Sequence, residues 1–170
     1  MTNNDVLRRF RYALELDNVT LLTIFRLSGV ELAPEDLASM LKSEEEAGFE
    51  AISDPLLARF FDGFITKQRG PRPGSGGARR STPSDAHAEA SVDLSNNRVL
   101  RAIKIGLELR DVDILAIMEL ASTPISKTEL SALFRREDHR NYQPCGNQFL
   151  RNFLKGLALW HRGSLRSSQG

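Results

Sequence analysis

One cysteine, Cys145, stands in the 170 residues, so no internal disulfide can form. The three histidines are scattered: His87 lies mid-chain, His139 and His161 lie far apart, and none sits at metal-ligand spacing with Cys145. No stretch reaches the ~18 uncharged apolar residues of a membrane-spanning helix. Met1-Thr2-Asn3-Asn4-Asp5 lacks the basic stretch and apolar run of a signal peptide. No segment alternates with period two for long enough to make a strand. These absences leave a soluble, cytoplasmic, all-α protein as the expectation. Nothing calls for a membrane or a cofactor.

What the chain does contain, it contains twice. Asn3-Asn4-Asp5-Val6-Leu7-Arg8 returns as Asn96-Asn97-Arg98-Val99-Leu100-Arg101, an offset of 93 residues. The offset holds without a gap from Leu14-Glu15-Leu16 and Leu107-Glu108-Leu109 to Arg69-Gly70 and Arg162-Gly163. Shared helical patterning alone would not keep charged and glycine positions in register, so the chain is two copies of one unit, 3–70 and 96–163. A unit this small buries only roughly 60% of its unfolded surface and is marginal alone. The copies are therefore expected to share a core.

Residues 71–95 separate them, opening with Gly70-Pro71-Arg72-Pro73-Gly74-Ser75-Gly76-Gly77 and poor in large apolar side chains. That composition predicts a flexible linker spanning roughly 28 Å root-mean-square. The domain reading is a first helical repeat over 1–70, linker 71–95, a second repeat over 96–163 and a disordered tail over 164–170.

Each copy reads as four to five helices. Val6, Leu7, Phe10, Ala13 and Leu14 recur at 3–4 spacing, as do Val99, Leu100, Ile103, Gly106 and Leu107. Asn4 and Asn97 are read as caps of these helices, and Asn18 and Asp111 as caps of the next. Pro34 opens a third helix, and Ser126-Lys127-Thr128-Glu129 has capping-box spacing. Asp54-Pro55 and Asn147 start the last. Gly63 and Gly156 fall inside it, where glycine costs ~1 kcal/mol against alanine, so close helix packing is expected there. The fold class is all-α, with the two homologous repeats packed about a pseudo-twofold axis.

Asn3 to Arg8, Cys145-Gly146-Asn147-Gln148-Phe149-Leu150 and Phe153-Leu154-Lys155-Gly156-Leu157 together resemble the YehS-like family, small bacterial proteins of unknown function built from a tandem helical repeat. The resemblance implies the fold and carries no activity. The family pattern has a charged turn, an aromatic, then Cys and an acidic cap. Here Ile52 stands at the Cys position of copy one, and Asn147 at the acidic position of copy two.

The net charge of +1 hides an asymmetry. Residues 1–70 hold 8 Lys and Arg against 12 Asp and Glu, giving −4; residues 96–170 hold 12 against 7, giving +5. The basic copy is the candidate anion-binding face. Its densest run is Arg135-Arg136-Glu137-Asp138-His139-Arg140-Asn141-Tyr142, with guanidiniums suited to phosphate or carboxylate and an aromatic suited to stacking. Arg151, Lys155 and Arg162 are expected to extend it along the last helix. Tyr142 shares its repeat position with Phe49, so it also reads as a plug over the turn.

Asp113 to Arg136 has helix-turn-helix spacing, but Lys127-Thr128-Glu129 would be the base-reading end. Enzyme readings rest on Cys145 with His139, or on Asp138 with His139. A helix N-terminus would favour the Cys145 thiolate, but no oxyanion-forming glycine loop accompanies it, and the favoured reading of Cys145 is a small buried residue at the entry to the last helix. The leading reading is a non-enzymatic binding or regulatory module with a protein partner. The alternative is a nucleic-acid or phosphate-ligand binder. The candidate contacts are Arg135, Arg136, His139, Arg140, Tyr142, Arg151 and Lys155.

Overall fold

The computed structural model describes residues 1–70 and 93–168, so most of the expected linker lies outside the described residues. Among the described residues the chain forms eight α-helices and no β-strand. In the first copy these are α1 (Asn3–Ala13), α2 (Asn18–Leu27), α3 (Pro34–Leu41) and α4 (Asp54–Arg69). In the second they are α5 (Asn96–Gly106), α6 (Asp111–Leu120), α7 (Lys127–Leu133) and α8 (Asn147–Ser168). No described helix is long and apolar enough to cross a membrane.

Within each copy the second helix lies along the last, α2 on α4 and α6 on α8. Glycine makes that approach possible. A Cβ on Gly63 would stand 1.9 Å from the Ile24 carbonyl oxygen, and one on Gly156 would stand 2.1 Å from that of Ile117. Both obstacles are backbone, which no rotamer change relieves.

Each first helix packs mainly on the other copy. α1 lies on α8 and α5 on α4, two contacts that exchange when the copies exchange, which is pseudo-twofold packing. The buried side chains form one continuous core through both copies. In the first it is aromatic: Phe10 meets Phe60, Phe61 and Phe64 with ring centroids 5.9, 5.4 and 4.9 Å apart. Across the seam, a Cβ on Gly106 would fall 2.4 Å from the Phe64 ring. At the exchanged place the pair is Leu157 and Ala13, a smaller side chain opposite a larger one.

Two reciprocal ion pairs follow the same symmetry. Arg69 lies 3.7 Å from Glu108, and Arg162 lies 3.7 Å from Glu15. Glu15 and Glu108 both hold φ of +53°, the left-handed residue that closes α1 and α5. Leu16 and Leu109 then donate back to the Arg11 and Lys104 carbonyls at 3.0 and 2.9 Å, a Schellman ending.

Several expected caps are corrected by one residue or more. Thr2, Asp17, Ser53 and Ser95 accept the first-turn N–H groups. Asn4 and Asn97 are instead buried. Asn4 Nδ2 donates to the Met40 and Glu50 carbonyls, both at 2.8 Å, and its Oδ1 accepts the Ile52 N–H at 3.0 Å. Asn97 repeats this with Leu133, Gln143 and Cys145 at 2.8, 3.0 and 2.8 Å. Asp54 likewise accepts from Asn3 Nδ2 at 2.6 Å and from the Leu94 N–H at 3.2 Å. The Ser126–Glu129 capping box forms as expected.

Of the expected tail over 164–170, residues 164–168 continue α8, and 169–170 lie outside the described residues. Gly70 ends α4 at φ +84°, ahead of Pro71, which disfavours helix in the residue before it. Gly163 precedes Ser164 and Leu165, and α8 runs on to Ser168, with the Ser164, Ser167 and Ser168 hydroxyls bonded to carbonyls four residues back.

Three outcomes test this account. Gly63→Ala should lower unfolding free energy by about 2 kcal/mol or more, because the new methyl meets backbone. Gly163→Ala, with open space around it, should raise it by up to about 1 kcal/mol in the same urea titration. Expressed separately, 1–70 and 93–170 should each lack a cooperative thermal transition and regain one on mixing. Independent melts near that of the whole chain would contradict the shared core.

Candidate functional site

The basic run of copy two sits on a turn whose backbone is the same in both copies. His139 and Tyr142 N–H groups donate to the Arg136 and His139 carbonyls at 2.9 and 2.8 Å, and Gln143 donates to Ala132 at 3.0 Å. In copy one Glu46, Phe49 and Glu50 make the matching bonds at 3.0, 3.1 and 3.2 Å. The scaffold therefore leaves the side chains free to differ. In copy one they satisfy each other: Glu46 accepts from the Ser43 N–H and hydroxyl at 2.8 and 2.9 Å, and Lys42 Nζ caps the Ala47 carbonyl at 2.7 Å. These bonds to Ser43 hold the Glu46 carboxyl below its ordinary range.

In copy two a cavity of about 380 Å³ opens between α5 and this turn. Arg98 and Arg101 line it from α5, Arg135 and Arg136 from the end of α7, with Glu137, Asp138 and Tyr142 on the turn and Asn97 beside them. Four cations against two carboxylates give +2. The same positions in copy one are Asp5, Arg8, Lys42, Ser43, Glu44 and Glu45, two against three, giving −1. Asp5 pairs with Arg8 there, while its counterpart Arg98 adds positive charge.

The guanidiniums differ in what engages them. Arg136 pairs with Asp138 at 3.0 Å. Arg98 donates to the Asp93 carbonyl at 3.0 Å and Arg101 to the Phe134 carbonyl at 2.7 Å. Arg135 Nη1 lies 3.4 Å from His139 Nδ1, which also accepts the Asn141 N–H at 3.1 Å. Among the described residues, Arg98, Arg101 and Arg135 form no ion pair with a carboxylate. Tyr142 is half-buried, as is Phe49, and burial raises its phenol above the ordinary value, helped by the Glu137 carboxylate.

The seven expected residues thus separate. Arg135, Arg136 and Tyr142 share the cavity, and His139 and Arg140 lie on the same turn outside its lining. Lys155 faces a different groove of about 440 Å³ between α1 and α8, with Arg8, Arg9, Tyr12 and Arg162. Arg151 lines neither; its Nε is buried without a hydrogen-bond partner among the described residues. Arg98 and Arg101 were missed. The signal was Asp5 becoming Arg98 inside the hexapeptide that reveals the repeat.

Cys145 is buried, and its N–H, not its thiol, carries the polar contact to Asn97. The thiol lies 3.7 Å from the Gly146 carbonyl, and burial pushes it up to about 12. Burial disfavours the thiolate that the helix N-terminus would favour, and Cys145 stands as a small buried residue at the entry to the last helix. At α7, Ser126 holds the Glu129 carboxyl ionised well below its usual range, so the first turn of the supposed recognition helix presents an anion.

A family model described as "Protein of unknown function (DUF1456)" matches residues 3–70 and 96–163, the bounds of the two copies. "Uncharacterized protein YehS" from Escherichia coli (strain K12) is 38% identical over 158 residues, covering 93% of this chain and 95% of that protein. No solved structure matches.

The raised Cys145 value has a signed consequence. The folded chain holds the thiol neutral while the unfolded chain releases its proton near the ordinary 9.0, so this contribution is complete below pH 9 and is lost on rising towards about 12. Cys145→Ala should flatten that part of the stability–pH curve. A neutral maleimide should label Cys145 slowly in buffer and rapidly in urea; equal rates would contradict the burial.

Proposed function

The chain belongs to this family of proteins of unknown function, and we propose that it is a non-enzymatic binding module whose second repeat takes a phosphate-bearing anion. One observation carries the reading: four arginines, two from α5 and two from the turn after α7, converge on one cavity, and three of them lack a carboxylate partner among the described residues. Like charges held together in excess of their counter-charges raise the local potential, and an anion that enters relieves it. Guanidinium forks suit phosphate oxygens, because two parallel N–H donors meet two acceptors. The cavity accommodates one or two phosphate groups. A nucleic-acid backbone supplies them in series, and Tyr142 at the rim offers an edge for a base.

A second reading, a protein partner, draws on a different observation. Val19 and Leu27 on α2 are 72% and 44% exposed, and their repeat counterparts Val112 and Leu120 on α6 are 52% and 47% exposed. Apolar exposure kept at the same positions of both copies favours a contact surface over drift.

Fluorescence anisotropy with labelled RNA and duplex DNA separates the two. Binding should weaken with salt, and Arg135→Ser with Arg136→Ser should lower the slope of log affinity against log salt by roughly one for each arginine. The melting temperature should hold, because Arg136 is exposed and its ion pair contributes little. No binding of either polymer, nor of inorganic pyrophosphate, at near-physiological salt would leave the protein-partner reading.

A further inference from the structure

The groove between α1 and α8 is a different kind of place from the arginine cavity. α1 presents Arg8, Arg9 and Tyr12 at positions i, i+1 and i+4, one stripe of the helix. α8 answers with Leu154, Ala158 and Leu159 as a continuous apolar floor, Lys155 on its edge and Arg162 at its far end. The volume of about 440 Å³ suits a small molecule.

Two of its cations have structural duties. Arg162 stacks on the Tyr12 ring, 4.6 Å from the centroid, and faces Glu15. Arg8 donates to the Lys42 carbonyl and pairs with Asp5. Arg9 and Lys155 have neither: both are exposed, and among the described residues neither makes an ion pair or side-chain hydrogen bond.

The pseudo-twofold partner of this groove is an internal control. Between α5 and α4, Ala102 stands where Arg9 does, Asp62 where Lys155 does, Ile105 where Tyr12 does and Thr66 where Leu159 does. Both seams use the same helix pair, so the packing needs no cation at Arg9 or Lys155 and no apolar side chain at Leu159. An apolar floor with two uncommitted cations at its edge has a definite complement.

We propose that the α1–α8 groove binds a small amphipathic anion, an alkyl or aryl body carrying one phosphate, sulfonate or carboxylate group. The body lies on Leu154, Ala158 and Leu159, and the head sits between Arg9 and Lys155. Neither half suffices: exposed charges alone hold an ion weakly in water, and the apolar floor alone would not select an anion.

Isothermal titration calorimetry on the full chain tests this, with octyl phosphate as the probe and inorganic phosphate and octanol as its separated halves. Octyl phosphate should bind, and each half should bind at least about tenfold more weakly. Arg9→Ala with Lys155→Asp installs residues the scaffold already carries at the other seam, and should weaken octyl phosphate about tenfold or more. If that variant melts lower than the parent, Lys155→Met, which keeps the apolar stem and removes the charge, is read instead and should also weaken binding. Leu159→Thr should weaken octyl phosphate and leave inorganic phosphate unchanged. Repeated in the Arg135→Ser with Arg136→Ser background, which weakens phosphate binding at the arginine cavity, the same titrations should still show octyl phosphate binding and its dependence on Lys155, which separates this groove from the arginine cavity. Octyl phosphate that fails to bind, binds no better than inorganic phosphate, or is indifferent to both Lys155 variants overturns the proposal.

Discussion

Reciprocal packing of each repeat's first helix on the other repeat's last helix is the constraint on which the molecule rests. A unit of this size alone leaves too much apolar surface in water to offset the entropy of ordering its chain. Here α1 and α5 lie on the last helix of the opposite repeat, while Phe10 also meets Phe60, Phe61 and Phe64 of its own, so two marginal units become one core. The features that hold register across 93 residues serve this contact. Glu15 and Glu108 take the left-handed position that usually goes to glycine, at a cost of about 1 kcal/mol, and from it each reaches the arginine of the opposite repeat. An exposed pair returns little of that by itself. Stacking of Arg162 on Tyr12 adds to it on one side.

A symmetric scaffold does not require a symmetric surface. The turn after α3 and the turn after α7 are held by matching backbone bonds, so their exposed side chains are free to diverge. Copy one has used that freedom to close its turn on itself, through Ser43, Glu46 and Lys42. Copy two has used it to gather arginine. The same holds at the seams, where Lys155 and Asp62 occupy one position of the repeat with opposite charge. Divergence falls on side chains that water can reach, while Gly63 and Gly156, each pressed against a carbonyl, have not moved.

The repeat bounds, the helices and the glycine contacts were legible in the sequence, because each leaves a local mark: an offset, a period, an interior glycine with a twin. The caps were less so. Asn4 and Asn97 carry the right side chain for a cap, and only partners 36 to 48 residues away reveal the other use. Local chemistry could not distinguish the two. Grouping Lys155 with Arg135 followed from their shared charge, whereas the fold brings α1 from the other copy up to Lys155. Arg98 was readable, since comparing the copies position by position shows a carboxylate becoming a guanidinium.

The buried asparagines link the scaffold to the site. Apolar stripes alone do not fix which turn a helix meets, because one hydrophobic surface fits another with small loss. Asn97 makes three bonds to backbone groups of the last residue of α7 and of the segment that follows it, and a slip of one residue would leave buried groups unpaired at about 1–3 kcal/mol each. Asn4 does the same in copy one. α5 is thus tied by polar bonds to its own repeat on one face and by apolar contact to the other repeat on the opposite face. Asn97 also stands at the cavity wall, beside Arg98 and within one helical turn of Arg101, while the Cα positions it fixes lead directly to Arg135 and Arg136. A neutral, buried side chain thus ties the helix that carries one arginine pair to the backbone on either side of the turn that carries the other. The charge of the cavity can drift with the surface, while the bonds that join its two walls belong to the set both repeats share.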